Sequence, residues 1–211
     1  MKLQLLSAVT LVAATLASCG GEAPSGDGTA TDSTATAMTY AIDPATSKLS
    51  WAGTMLRIKE HTGALNFVNG TFSTDKGVLT AGDFVVDMKN YTMSDTNYAP
   101  DGSEKGTKAM LTGHLMSADF FAVDSFPTAT LKITSVTGNT ATADLTVRGI
   151  TNSESITDIV IMPNDMDKTV KATGKLGFDR QKYGVAWSSG SQDAVLNDVI
   201  QLTVELSGKA Q

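Results

Sequence analysis

The chain has one cysteine, two histidines and three arginines among its 211 residues, and each scarcity removes a class of function. The lone Cys19 rules out a disulfide within the chain and any multi-cysteine metal site. His61 and His114 would need carboxylates such as Glu60 or Asp119 to hold a metal, and no ligand spacing joins them. No Gly-x-Ser-x-Gly elbow occurs, and Ser188, Ser189 and Ser191 have no histidine placed beside them in the sequence. Asp83 and Asp87 share one strand face opposite Phe84 and Val86, so they read as solvent-facing rather than as a glycosidase pair. The expectation is a non-enzyme, with no catalytic residues, no metal and no cofactor. Basic residues are also few: Lys and Arg total 16 against 22 acidic residues, for a net charge of −6 and a pI near 4.8. That balance argues against nucleic acid and against electrostatic docking on anionic lipid.

What is present begins with a targeting pattern. Lys2 precedes an apolar run, and Leu16-Ala-Ser-Cys19 ends it in the pattern of a lipoprotein cleavage site. The run is too short to span a bilayer. Residues 1–18 are therefore expected to be a lipoprotein signal peptide, and Cys19 the lipid attachment site. Several acyl chains at ~0.8 kcal/mol per buried methylene give lasting membrane attachment. The expected location is the bacterial cell envelope, with Gly20 after the cysteine favouring the outer membrane, facing the periplasm. From Gly20 to Met38 there is hardly a large apolar residue, so residues 19–38 read as a disordered tether with a typical span of about 24 Å.

Residues 39–211 suit one domain, without an internal repeat or second linker. An extended stretch from Thr39 to Asp43 precedes eight strand-like segments: Lys48–Ile58, Gly63–Phe72, Val78–Met88, Thr128–Val136, Thr140–Arg148, Ile156–Met162, Val170–Phe178 and Val199–Leu206. The alternation is cleanest where Ala141, Ala143, Leu145 and Val147 oppose Thr140, Thr142, Asp144 and Thr146. Lys76-Gly77 and Gly138-Asn139 read as tight hairpin turns. One helix interrupts this pattern. Met110, Leu111, His114, Leu115 and Ala118 fall at spacings of three and four between Lys108 and Ala118. Phe120 and Phe121 follow as an apolar plug, and Pro127 bars continuation. The loop Asn90–Thr107 leads into this helix, and the two together read as a cap on a barrel mouth. The fold class is all-β: an eight-stranded antiparallel barrel with one capping helix.

An ordered set of motifs then resembles the YceI-like family of lipocalin-like barrels associated with polyisoprenoid binding. These are Tyr40-Ala-Ile-Asp-Pro44, Leu49-Ser-Trp51, His61-Thr-Gly63, His114-Leu-Met-Ser-Ala-Asp-Phe-Phe121 and Phe126-Pro-Thr-Ala-Thr-Leu131. Leu145-Thr-Val-Arg-Gly-Ile-Thr151, Phe178-Asp-Arg-Gln-Lys-Tyr-Gly184 and Asn197-Asp-Val199 complete it, so the resemblance covers Tyr40 to Ser207. The lipobox and tether depart from the soluble members. The resemblance implies a long apolar cavity for a prenyl chain or similar amphiphile, with no cofactor beyond such a bound lipid. Laid over the strand parities, it implies a ligand-binding wall of Trp51, Gly53 and Met55, then Phe84, Val86 and Met88. Leu131, Ile133, Leu145 and Phe178 extend that wall, and Met110 and His114 approach from the helix. The partners expected are a hydrophobic small-molecule lipid and, through the anchor, a membrane; a homodimer stays open.

Two other readings stand beside it. An envelope stress or interaction protein would have a filled barrel and would engage a partner with its loops. A lipid-modifying enzyme would have to start from His114. Arg148 and Arg180 each end a strand and suit a diphosphate or quinone head. The plainer reading is structural, with Arg180 paired to Asp179 or another loop carboxylate.

Overall fold

The computed structural model describes residues 37–55, 59–188 and 195–211. The expectations for residues 1–36, including Cys19, and for Arg57, Ser189 and Ser191 lie outside the described residues.

Eleven strands and one α-helix follow in chain order: β1 (Met38–Ile42), β2 (Lys48–Met55), β3 (Lys59–Leu65), β4 (Phe67–Asp75), β5 (Val78–Asp87), β6 (Thr92–Met93), α1 (Lys108–Met116), β7 (Thr128–Thr137), β8 (Thr140–Val147), β9 (Ile150–Asn164), β10 (Thr169–Asp179) and β11 (Val199–Ala210). Strands β1, β4, β5, β7, β8, β9, β10 and β11 pair antiparallel in that order, and β11 pairs back to β1, which closes an eight-stranded barrel. The stretch read as an extended lead-in is thus the strand that closes the ring. Strands β2, β3 and β6 continue from another part of the same β11 edge: Gly208–Ala210 pair with β1, whereas Gln201–Glu205 pair with β2. The switch occurs at Asp43, whose carboxylate accepts bonds from Ala45 N and Thr46 Oγ1. Ser47 Oγ then accepts from Ser207 N and donates to Ser207 O, fixing where β2 rejoins that edge.

Some boundaries differ from expectation, for local reasons. The segment Gly63–Phe72 is divided between β3 and β4, because Asn66 leaves the ladder and its carbonyl accepts from Asp87 N. Thr107 caps α1 by accepting from Met110 N, but the helix stops at Met116 rather than Ala118. Ser117 ends it: its N–H and hydroxyl both donate to the His114 carbonyl. Pro127, ten residues beyond Ser117, is therefore not the terminator. The Lys76-Gly77 hairpin takes positive φ at both residues, 50° and 78°, as a two-residue turn of this kind requires.

The barrel interior has two unlike halves. In one, Phe72 stacks on Tyr40 with ring centroids 5.3 Å apart, and Leu79, Ile133, Ala143 and Val170 fill the remaining space. Further along the same strands, Phe84, Leu131, Leu145 and Leu176 face a cavity instead. The Phe84 ring separates the two. It lies over Gly70 and Gly82, where an added Cβ would come within 2.6 and 2.9 Å of it. Only glycine lets that ring cross the barrel.

Candidate ligand-binding cavity

The hollow half holds a partly open cavity of about 220 Å³. Native cores contain few voids larger than a water molecule, and an apolar cavity of roughly 150 Å³ already stays dry and takes up benzene. The space is narrow but real. Its walls are inward residues of β2, β3, β4, β5, β7, β8, β9, β10 and β11, covered by Leu111, His114 and Leu115 of α1 and by Phe120 and Phe121 after it.

Ten of the twelve residues expected to form a ligand-binding wall line this cavity: Trp51, Gly53, Met55, Phe84, Val86, Met88, His114, Leu131, Leu145 and Phe178. Two do not. Ile133 faces inward and is buried, but its strand position puts it in the filled half, opposite Ala143 on β8. Met110 is 47% exposed. The inward face of α1 is Leu111, His114 and Leu115, and Met110 sits one residue off it, so helical spacing had drawn the apolar stripe too wide.

Other lining residues were not singled out from the sequence. Ile200, Leu202, Val204 and Leu206 alternate along β11 and carried the same signal as Trp51 and Gly53. Tyr91 and Trp187 come from loops, where no periodicity exists to reveal them. His61 lies on β3 with its side chain only 20% exposed, and it also lines the cavity.

Aromatic rings touch in succession along this end of the barrel. Trp51 meets Tyr91 at 6.4 Å, Tyr91 meets Phe121 at 6.4 Å, and Phe121 meets Phe120 at 4.9 Å. Phe120 meets His114 at 5.4 Å, and His114 meets Trp187 at 4.7 Å. The Trp51 indole lies over Gly63, its partner on β3, where an added Cβ would meet the ring at 2.7 Å. Three polar atoms of this girdle are buried without a hydrogen-bond partner among the described residues: Trp51 Nε1, Tyr91 Oη and His114 Nε2. Each such group costs about 1–3 kcal/mol. Burial pushes the Tyr91 phenol far above its ordinary range, so it stays a neutral O–H.

The loop before α1 is pinned to the barrel at Asp95. Its carboxylate accepts from Tyr98 Oη at 2.7 Å, Asn97 N at 2.9 Å and Thr62 N at 3.0 Å, with His61 Nδ1 at 3.2 Å. Burial works to raise this carboxyl, but the hydrogen bonds outweigh it and hold it at about 2, against an ordinary 3.8. Burial and the adjacent Asp95 both push the Tyr98 phenol upward, and its ring stacks on His61 at 5.0 Å.

The two described arginines, Arg148 and Arg180, are structural. Arg148 Nη1 donates to the carbonyls of Phe120 at 2.6 Å and Gly184 at 3.0 Å, tying the aromatic plug to the loop after β10. Arg180 is 3% exposed and donates to the carbonyls of Val185 and Trp187, with Asp198 as its ion-pair partner at 3.0 Å. The partner is thus another loop carboxylate, not Asp179, whose side chain instead accepts from Gln181 N.

A closed antiparallel barrel with a capped apolar cavity is lipocalin-like. The sequence profile of the YceI-like domain matches residues 40–208, and the chain belongs to that family. UPF0312 protein SAB2563 of Staphylococcus aureus (strain bovine RF122 / ET3-1) is 39% identical over 79 residues, covering 34% of this chain. The match spans only 44% of that curated relative. Among solved structures, Burkholderia cenocepacia BcnA aligns with a TM-score of 0.60 at 19% identity, over 79% of this chain and 98% of its own. A polyisoprenoid binding domain from Saccharophagus degradans, implicated in plant cell wall breakdown, aligns with a TM-score of 0.51 at 11% identity, over 82% and 99%. At these identities the likeness shows the fold.

Proposed function

We propose that this protein binds or carries a hydrophobic, isoprenoid-like lipid, such as a prenyl quinone or polyisoprenoid, inside the hollow half of its barrel. The observation that carries this reading is the capped cavity walled by Trp51, Met55, Phe84, Leu131, Leu145 and Phe178. Membership of the YceI-like family and the likeness to a polyisoprenoid binding domain support it. Mechanism is sequestration: an apolar chain leaves water for the cavity and gains ~0.8 kcal/mol per buried methylene, less the cost of ordering it. Walls of this kind measure length and girth, so affinity is high and selectivity along the tail low.

The reading includes an anchor. Lipid on Cys19 holds the domain at the cell envelope, most simply at the outer membrane facing the periplasm, within a tether's reach of the bilayer that supplies the ligand. Cys19→Ala should release the protein from membranes, and persistent fractionation with the envelope would refute the anchor. The alternative of an interaction protein with a filled barrel is disfavoured by the hollow half. For the binding itself, the protein is purified from a bacterial host without added lipid, and bound material is extracted with solvent for mass spectrometry. A prenyl-chain lipid in near-stoichiometric amount is expected. An empty protein that also ignores added prenyl lipids overturns the proposal.

A further inference from the structure

The cap of the cavity, residues 88–127, is fastened to the barrel near its two ends and not between them. At one mooring, Ser94 N donates to Thr62 O at 2.9 Å and Asn97 Nδ2 donates to Glu60 O at 3.0 Å. The Asp95 carboxylate accepts from Thr62 N beside them. At the other mooring, Arg148 Nη1 donates to the Phe120 carbonyl and Met88 N donates to Pro127 O at 2.9 Å. Phe120, Phe121 and Val123 are buried there.

Residues 99–116 lie between these moorings and are attached differently. Among the described residues, no hydrogen bond or ion pair joins them to any strand of the barrel. Their polar groups bond within the segment: Ala99 N donates to Gly106 O at 2.8 Å, and Thr107 Oγ1 accepts from Met110 N at 3.2 Å. The C-terminal end of α1 is tied to the plug after it, through Phe121 N to Leu115 O and Val123 N to Met116 O. Over the cavity the segment offers Leu111, His114 and Leu115, and Leu115 alone is fully buried. The outer side of the helix is bare, with Met110 exposed and nothing within 4 Å of a Cβ added at Gly113.

The two kinds of attachment differ in what it takes to break them. Freeing either mooring gives up hydrogen bonds to a charged group, Asp95 or Arg148. Lifting α1 gives up apolar contact only, which has no preferred direction and leaves no donor unpaired. A cavity lies beneath the helix in place of packed core, so its inner face also has fewer van der Waals contacts to lose.

We propose that residues 99–116 are a gate: α1 swings off the cavity while the moorings at Ser94–Asn97 and Phe120–Val123 stay in place. What passes through the gate rests on the lipid-holding reading above; the opening itself belongs to the empty protein. The rival entrance is the edge at β6, which two register pairs, Gly63 with Met93 and Ala64 with Thr92, hold to β3.

Hydrogen exchange of the full chain, without ligand, tests the opening. Nine residues are too few to hold a helix in water once off their support, so lifting α1 exposes its amides. The amides of Leu111 to Met116 are expected to exchange about a hundredfold faster than those of β8, and about tenfold faster than those of Thr62 and Ser94. Protection of α1 equal to that of β8 would overturn the gate, whatever the ligand. The route is then tested with a disulfide between Ala64→Cys and Thr92→Cys, directly opposite on β3 and β6. Geranylgeranyl naphthoquinone is presented from cyclodextrin, and its uptake rate is followed by quenching of Trp51 and Trp187. Uptake at the same rate with the disulfide closed or reduced is expected. Slowing that a reductant reverses would put the entrance at β6 and overturn the proposal. If exchange is fast and the naphthoquinone does not bind, the gate stands and the lipid-holding reading fails.

Discussion

The two halves of the barrel share β4, β5, β7, β8 and β10 with the same alternation, but β1 completes the solid half and β2 and β3 help wall the hollow one. In the solid half, Tyr40 and Phe72 meet across β1 and β4 and the small Ala143 closes the last gap, at 0% exposure. In the hollow half, large residues face one another from opposite walls and their rings line up around the space rather than across it. The difference teaches that alternation decides which side chains point inward, while their size and the glycines beneath them decide whether the inside is full. Stability should come from one half and binding from the other, and substitutions can separate the two.

The largest effect is expected in the solid half. Phe72→Ala should cost about 3–5 kcal/mol, a fall of roughly 10–15 °C in melting temperature for a domain of this size, with lipid affinity unchanged in the protein that remains folded. Calorimetry alongside a binding titration checks both parts. If affinity falls in step with stability, the halves are not independent.

Gly53→Trp should do the reverse. A Cβ at Gly53 meets nothing closer than Ile200 Cδ1 at 3.5 Å, so the new side chain projects into the cavity. We expect lipid binding to weaken by more than about a hundredfold, ~2.7 kcal/mol, with a stability change within the ~1–3 kcal/mol of overpacking. Undiminished uptake would show that the ligand lies elsewhere.

Asp95 joins the cap to the barrel, and its effect depends on pH. The folded carboxyl titrates below its ordinary 3.8, so its contribution is complete above about pH 4 and is lost as pH falls toward 2. Asp95→Asn should therefore destabilise by about 1–3 kcal/mol at pH 7, and the gap between variant and parent should close on approaching pH 2. Urea denaturation at several pH values reads this directly. The smallest effect belongs to Met110, which is exposed beside the cavity helix: Met110→Ser should change stability by no more than about 0.5 kcal/mol and leave affinity alone.

Much of this was legible in the sequence. Alternation in β8 gave Leu145 and Val147 their inward direction, Lys76-Gly77 and Gly138-Asn139 marked the hairpins, and α1 was visible by its spacing. Depth along the barrel axis was not. Ile133 and Leu131 share a parity and differ only in which half they reach, a property set by the stagger of all eight strands. The break at Asn66 depends on one backbone bond to Asp87, and the side chain of His61, on β3, is covered by Asp95 and Tyr98 of the loop before α1. Such tertiary bonds leave no period in the chain. Their only trace was the break in strand rhythm between Asn90 and Thr107.

Both tryptophans of the chain, Trp51 and Trp187, line the cavity, so the protein's own fluorescence reports on it without a label. The most direct measurement is a titration of the full chain with a prenyl quinone, following that emission. Saturable quenching at one ligand per chain, lost in Gly53→Trp as judged by extraction of bound lipid, is the expected result. Emission that stays constant, or that declines linearly without saturation, contradicts a lipid-holding barrel.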